Sequence, residues 1–251
     1  MKYKGKKNYW QQAIRKREYL KAILQGMLLI GAVSYLFYGT LFGAILLSPY
    51  LIRYLTSWEK EIIKKKKQTF RLQFKETIQS LSAALSVGYS VENGLREAMK
   101  DLKSIYKGEE LILQELAFMI RQLQMNRTAE AVLQEFAGRT SDEDVETFVT
   151  IFSMAKRSGG DTLEIIRNAV RQMSEKIDVE REIATIMAAK KLEFRIMSAI
   201  PFGMILYLKI SFPEFLTALY GNILGIVIMT ICLVIYLAAY EIGKRIVEIE
   251  V

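Results

Sequence analysis

Two long apolar blocks, Ala22–Ile52 and Ile196–Tyr240, bracket a charged stretch, Ser57–Arg195, that contains no proline. That layout reads as membrane anchor, helical domain, membrane anchor. As a single helix the first block would run about 46 Å, against a hydrocarbon core of roughly 30 Å. It is long for one span and short for two. The flanking charges favour two. Lys2, Lys4, Lys6, Lys7, Arg15, Lys16, Arg17 and Lys21 precede the block, and Arg53, Lys60 and the run Lys64–Lys67 follow its core. Under the positive-inside bias both ends lie on the cytoplasmic side, so the crossings are even in number. The expected form is a tight hairpin, Leu20–Tyr38 and Thr40–Leu55, turning at Tyr38-Gly39-Thr40, with a single tilted span as the alternative. In the second block, Phe194–Ser211 and Ile223–Tyr240 flank Phe212–Asn222, an expected loop with Pro213, Glu214 and no Lys or Arg. Lys244 and Arg245 follow on the inner side.

The expected fold class is therefore all-α: a multi-pass membrane protein with a cytoplasmic helical bundle between two transmembrane hairpins. Its parts are a basic cytoplasmic N-terminus (1–19), a first hairpin (20–56), a cytoplasmic domain (57–195), a second hairpin (196–240) and a cytoplasmic tail (241–251). The formal charge is +8. Acidic and basic residues nearly balance within 57–195, so the excess is juxtamembrane. It suits anionic lipid headgroups better than a nucleic-acid backbone. A cleavable leader is not expected, because the first apolar stretch begins late and no small-residue cleavage site ends a short apolar core.

Two absences remove families of chemistry. There is no histidine, which excludes imidazole bases, Ser-His-Asp triads and His-ligated metals. The one cysteine, Cys232, lies in the last apolar block, so neither an intrachain disulfide nor a CxxC pair can form. No GxxxxGK[ST] or GxGxxG nucleotide cradle occurs. The expectation is a protein that is not an enzyme and holds no cofactor or metal.

Within the central stretch Phe70, Phe74, Ile78, Leu81 and Leu85 step by four, four, three and four, the stripe of a helix with one buried face. Helices are expected at about Val91–Tyr106, Glu109–Met125, Ala129–Ala137 (stopped by Gly138), Asp142–Arg157 (opened by Ser141) and from Thr162 without a break toward Pro201. A weak repeat marks three helix starts: Gly88-Tyr89-Ser90-Val91-Glu92, Asn126-Arg127-Thr128-Ala129-Glu130 and Gly160-Asp161-Thr162-Leu163-Glu164. Each fits an N-cap, the hydroxyl accepting an orphan backbone N–H and the carboxylate facing the positive helix end.

These turns carry a resemblance. Phe74–Leu102 and Phe148–Pro201, with AKRSGGDTLEIIRNAV and then IMAAKKLEFRIMSAIP, resemble the type II secretion system F domain, in its single-domain TadB/TadC-type branch. The resemblance implies an inner-membrane platform protein of a type IV-like (Tad) pilus or type II secretion machine in a prokaryote. It would contact a hexameric cytoplasmic secretion ATPase and pilin subunits. Larger relatives carry two copies of the domain; this chain has room for one, which implies a second platform subunit or a homo-oligomer. Surfaces then become the functional candidates. Asp142, Glu143, Asp144 and Glu146 form an acidic cluster at a helix start, readable as dipole complement or as an ATPase-docking patch. Lys209, late in an apolar span, reads as a functional ionisable group or as a lysine snorkelling outward. A membrane-tethered adaptor and a small-solute transporter remain as alternatives.

Overall fold

The computed structural model describes Trp10 and residues 16–40, 43–106, 110–158, 162–220 and 222–247. Among the described residues lie nine helices and no strand: α1 Lys16–Tyr38, α2 Gly43–Ser86, α3 Val91–Ile105, α4 Leu111–Gln124, α5 Ala129–Thr140, α6 Glu143–Ser158, α7 Thr162–Ser211, α8 Pro213–Tyr220 and α9 Ile223–Val247. They divide into two compact units, Met1–Ile14 with Glu61–Val179, and Arg15–Lys60 with Glu180–Val251. The helices α2 and α7 each contribute to both.

The first unit is built on the stripe legible in α2. Phe70, Phe74, Ile78 and Leu81 are buried, and α3 to α7 turn their own apolar faces onto them through Leu95, Leu102, Leu116, Phe136, Phe148 and Val170, among others. A chain of rings runs through the centre: Phe70 and Phe74 each tilt against Phe136, and Phe74 meets Phe148 edge-on at 5.8 Å. Each such pair contributes about 0.5–1.5 kcal/mol beyond area burial. Gly94 lets α3 approach α2 closely, because a Cβ there would lie 2.8 Å from Leu81 Cδ1.

The second unit holds two antiparallel helical pairs. In the first, α1 ends at Tyr38, Gly39 takes φ +68°, and the early turns of α2 run back along α1. Tyr19 meets Trp58 at 6.0 Å, and Gly26 lies beneath Leu51 and Tyr54. In the second pair, Phe194 of α7 stacks on Tyr240 of α9 at 5.4 Å, and the Tyr236 hydroxyl donates to the Ser198 carbonyl at 2.8 Å. Many apolar side chains of this unit remain exposed, including Leu20, Leu24, Leu28, Ile223, Leu224 and Ile235. Such faces suit a lipid solvent rather than water.

Among the described residues three helices are long and apolar enough to cross a membrane: Arg17–Tyr38, Leu163–Ser211 and Ile223–Val247. The second arm of the first pair is not one of them; from Gly43 to Leu55 it offers only about 20 Å of helix. Three local expectations are corrected. Residues Phe212–Asn222 are not all loop, since Pro213 occupies the first position of a short helix, where its missing N–H costs nothing. Gly138 does not stop α5, which continues to Thr140. And Ser141 does not open α6: at φ 45° it ends α5 in the left-handed region.

Candidate functional site

The acidic residues after α5 do not form one surface. With Ser141 closing α5, Asp142 opens α6, its Oδ1 accepting the Asp144 N–H at 3.2 Å. Asp142 and Asp144 are each only 2% exposed. Arg71 of α2 reaches both, Nε donating to Asp142 Oδ2 at 3.0 Å and lying 3.3 Å from Asp144 Oδ2, while Lys176 of α7 donates to Asp144 Oδ1 at 2.7 Å. Two buried carboxylates are thus matched by two cations from different helices, tying α2, α6 and α7 together. The expected docking cluster is therefore reduced: only Glu143 and Glu146 are exposed, and both sit in the first turn of α6, where carboxylates also complement the helix dipole.

The repeated turns have a shared geometry. At the end of α2, Gly88 has φ +93°, its N–H reaches the Leu85 carbonyl and the Tyr89 N–H reaches that of Ala84. At the end of α4, Asn126 has φ 61°, its N–H reaches Leu123 and the Arg127 N–H reaches Gln122. Both are Schellman closures, with Gly or Asn in the left-handed position. Two residues later comes the next helix's cap: Ser90 Oγ accepts from Asn93 N at 3.3 Å, and Thr128 Oγ1 from Ala131 N at 3.4 Å. Glu92 is exposed in the first turn of α3, and Glu130 pairs with Lys156 at 3.2 Å. Of the third copy, Gly160 and the Thr162 side chain lie outside the described residues; Glu164 is exposed in the first turn of α7.

A second polar network joins α4 to α5. Arg139 donates to Glu115 Oε2 through Nη2 at 2.6 Å and to Glu135 Oε1 at 3.0 Å, its guanidinium lying 4.5 Å from the centre of the Phe118 ring. Arg127 and Gln122 complete the cage around Glu135. Burial acts to raise the Glu135 carboxyl, but those two hydrogen bonds and the Arg139 charge outweigh it and hold the group below its ordinary value. In the second unit Lys209 does not simply reach outward. Its ammonium donates to the Tyr35 carbonyl at 2.8 Å and lies 3.4 Å from the centre of the Tyr35 ring, while the Tyr220 hydroxyl donates to the Leu36 carbonyl. The Tyr35 carbonyl also accepts the Gly39 N–H at 3.1 Å, so Lys209 is its second donor, while the Leu36 carbonyl lies in the last turn of α1, whose carbonyls lack a helical partner and where positive charge is favourable.

Sequence reasoning missed Arg71, Lys176, Arg139 and Trp10. Arg71 and Lys176 are cations remote in sequence from their acids, as is Arg139 from Glu115, and no local spacing marks such pairs; only Arg139–Glu135 has helical i,i+4 spacing. Among the described residues no group of three or more His, Cys, Asp or Glu side chains is placed to hold a metal ion. What the described residues of the first unit offer is a helical scaffold whose buried carboxylates Asp142 and Asp144 are ion-paired from other helices. No curated protein and no solved structure matches the chain. A family model does: type II secretion system (T2SS), protein F, matches residues 77–208, from within α2 through α3–α6 and along most of α7. That is more than half of the sequence, and the chain belongs to this family of inner-membrane platform proteins of type II secretion and type IV pilus-related machines.

Proposed function

We propose that this chain is the platform subunit of a Tad-type pilus or related secretion machine, coupling a hexameric cytoplasmic ATPase to the extraction and assembly of pilin subunits. The observation that carries the reading is the family match over 77–208. The chemistry agrees with it: a chain without histidine, with one cysteine in an apolar helix and without a nucleotide-binding motif must draw its work from a partner. Both termini and the first unit face the cytoplasm in this reading, anionic lipids neutralise the basic N-terminal flank, and a second platform subunit or further copies complete the assembly. Glu143 and Glu146 are the acidic residues available for ATPase contact.

The test is capture of the secretion ATPase by the full chain in detergent or nanodiscs, wild type against Glu143→Lys/Glu146→Lys. The reading expects binding by wild type, and weaker, less salt-sensitive binding by the double variant. Equal binding clears the two glutamates of a docking role. Absence of binding by wild type at every salt concentration overturns the platform reading.

A further inference from the structure

Trp10 precedes α1, in a stretch whose basic residues suit a lipid-facing tail, yet it is only 5% exposed and belongs to the core of the helical unit. Its indole meets Phe70 edge-to-face, with centroids 5.3 Å apart and planes at 82°. Its Nε1–H donates to the Thr140 carbonyl at 3.0 Å, and the Lys67 ammonium lies 5.5 Å from the ring centre. Each contact answers a local need. Thr140 is the last residue of α5, so its carbonyl has no helical partner. Phe70 is 1% exposed with Trp10 in place. Indole covers a ring and supplies a donor at once. The socket also adjoins the ion pairs, since Arg71 follows Phe70 and Asp142 lies two residues after Thr140.

We infer that Trp10 straps the chain ahead of α1 to the helical unit, seated between Phe70 and the Thr140 carbonyl and not lying on the membrane. A consequence for the membrane path follows. Residues 10 and 70 share one core, so both lie on one side of any bilayer. The chain between them leaves and returns on that side, although the start of α2 is too short by composition to count as a span of its own. The shared side follows from packing alone, with no charge rule, and holds whether or not an ATPase binds.

The experiment uses the full chain in liposomes with Trp58→Phe, which leaves Trp10 as the only tryptophan. The strap predicts blue-shifted emission that is protected from aqueous acrylamide and also from phospholipid carrying nitroxide along its acyl chains. Quenching by acrylamide at the rate of free indole means a solvated tail, and quenching by the nitroxide lipid means an indole in the membrane interface; either overturns the inference. In a second measurement, on a Cys232→Ala background, single cysteines replacing Lys7 and Lys103 are labelled with an impermeant maleimide. Both are expected to react from the same side of sealed vesicles. Reaction from opposite sides overturns the shared-side consequence and the strap with it.

Discussion

Arg71 and Asp142, 71 residues apart in sequence, meet through an Nε–H···Oδ2 bond at 3.0 Å, with the carboxylate almost wholly withdrawn from water. A buried charge that loses its partner costs more than the pair contributed, because the remaining ion cannot be rehydrated in place. Arg71→Ala takes the guanidinium from both carboxylates and keeps Lys176 on Asp144. It should lower stability by about 3 kcal/mol, the low end for a broken buried pair because the arginine side chain is 26% exposed. Glu143→Gln and Glu146→Gln, on the solvated side of the same helix start, should each cost about 0.5 kcal/mol. Denaturant unfolding of the full chain in detergent, followed by circular dichroism, measures the contrast. Equal effects for Arg71→Ala and Glu143→Gln would contradict it.

The caps give a second set of outcomes. Ser90→Ala and Thr128→Ala should each remove about 1 kcal/mol, and Ser90→Gly only a few tenths. Gly88 has open space where a Cβ would go, so Gly88→Ala tests backbone conformation alone and should cost about 1–2 kcal/mol at φ +93°. Asn126→Gly should hold stability or raise it, since glycine relieves the same left-handed strain. Unfolding midpoints of the five variants, ranked against wild type, check the order.

For Gly94→Ala two effects compete. Alanine improves helix propensity by about 1 kcal/mol. Its Cβ, however, would stand 2.8 Å from Leu81 Cδ1, and Leu81 is 1% exposed with little room to turn. Overpacking of this kind costs about 1–3 kcal/mol. The clash is expected to win, giving net destabilisation of about 1 kcal/mol. Pairing the change with Leu81→Val, which removes the obstructing Cδ1 methyl, should recover more than Leu81→Val alone would suggest, and a double-mutant cycle reads the coupling.

Glu135 sets a pH dependence. Its carboxyl titrates lower in the folded chain than its ordinary 4.5. Its contribution is therefore complete above that value and is lost as pH falls through it toward the folded value. Glu135→Gln should flatten stability against pH below about 4.5 while changing it by about 0.5 kcal/mol or less at pH 7. A slope between pH 5 and 3 that is unchanged in the variant would assign the acid sensitivity to other carboxylates.

The helices of the first unit were legible because their apolar residues recur at helical spacing, and the buried set Phe70, Phe74, Ile78 and Leu81 is the stripe the sequence displays. Turn chemistry was legible where a Gly or Asn stood two residues before a Ser or Thr, as at Gly88 and Asn126. The end of α5 was not. Glycine at 138 is the better stop signal, yet the helix runs through it and Ser141 takes the left-handed position. The reason is tertiary: Thr140 carries the carbonyl that Trp10 engages, and Asp142 must face Arg71, neither of which a local window contains. The burial of Asp142 and Asp144 was hidden for the same cause. An acidic run beside a helix start reads as solvated unless its distant cations are known. The short arm of α2 falls between categories, too brief for a span by composition and yet folded along α1 as a hairpin demands.

The closures at Gly88 and Asn126 are made by main-chain groups counting back to fixed carbonyls, so outside those two left-handed positions what they constrain is the number of residues more than their side chains. At the first turn this leaves Tyr89, half exposed, as a position whose identity is free while its existence is obligatory. A fluorophore or short tag attached there through a cysteine would ride on the helical unit without disturbing either helix end. One inserted residue at the same place would throw both the preceding closure and the Ser90 cap out of register, and the two helices would lose their fixed angle together.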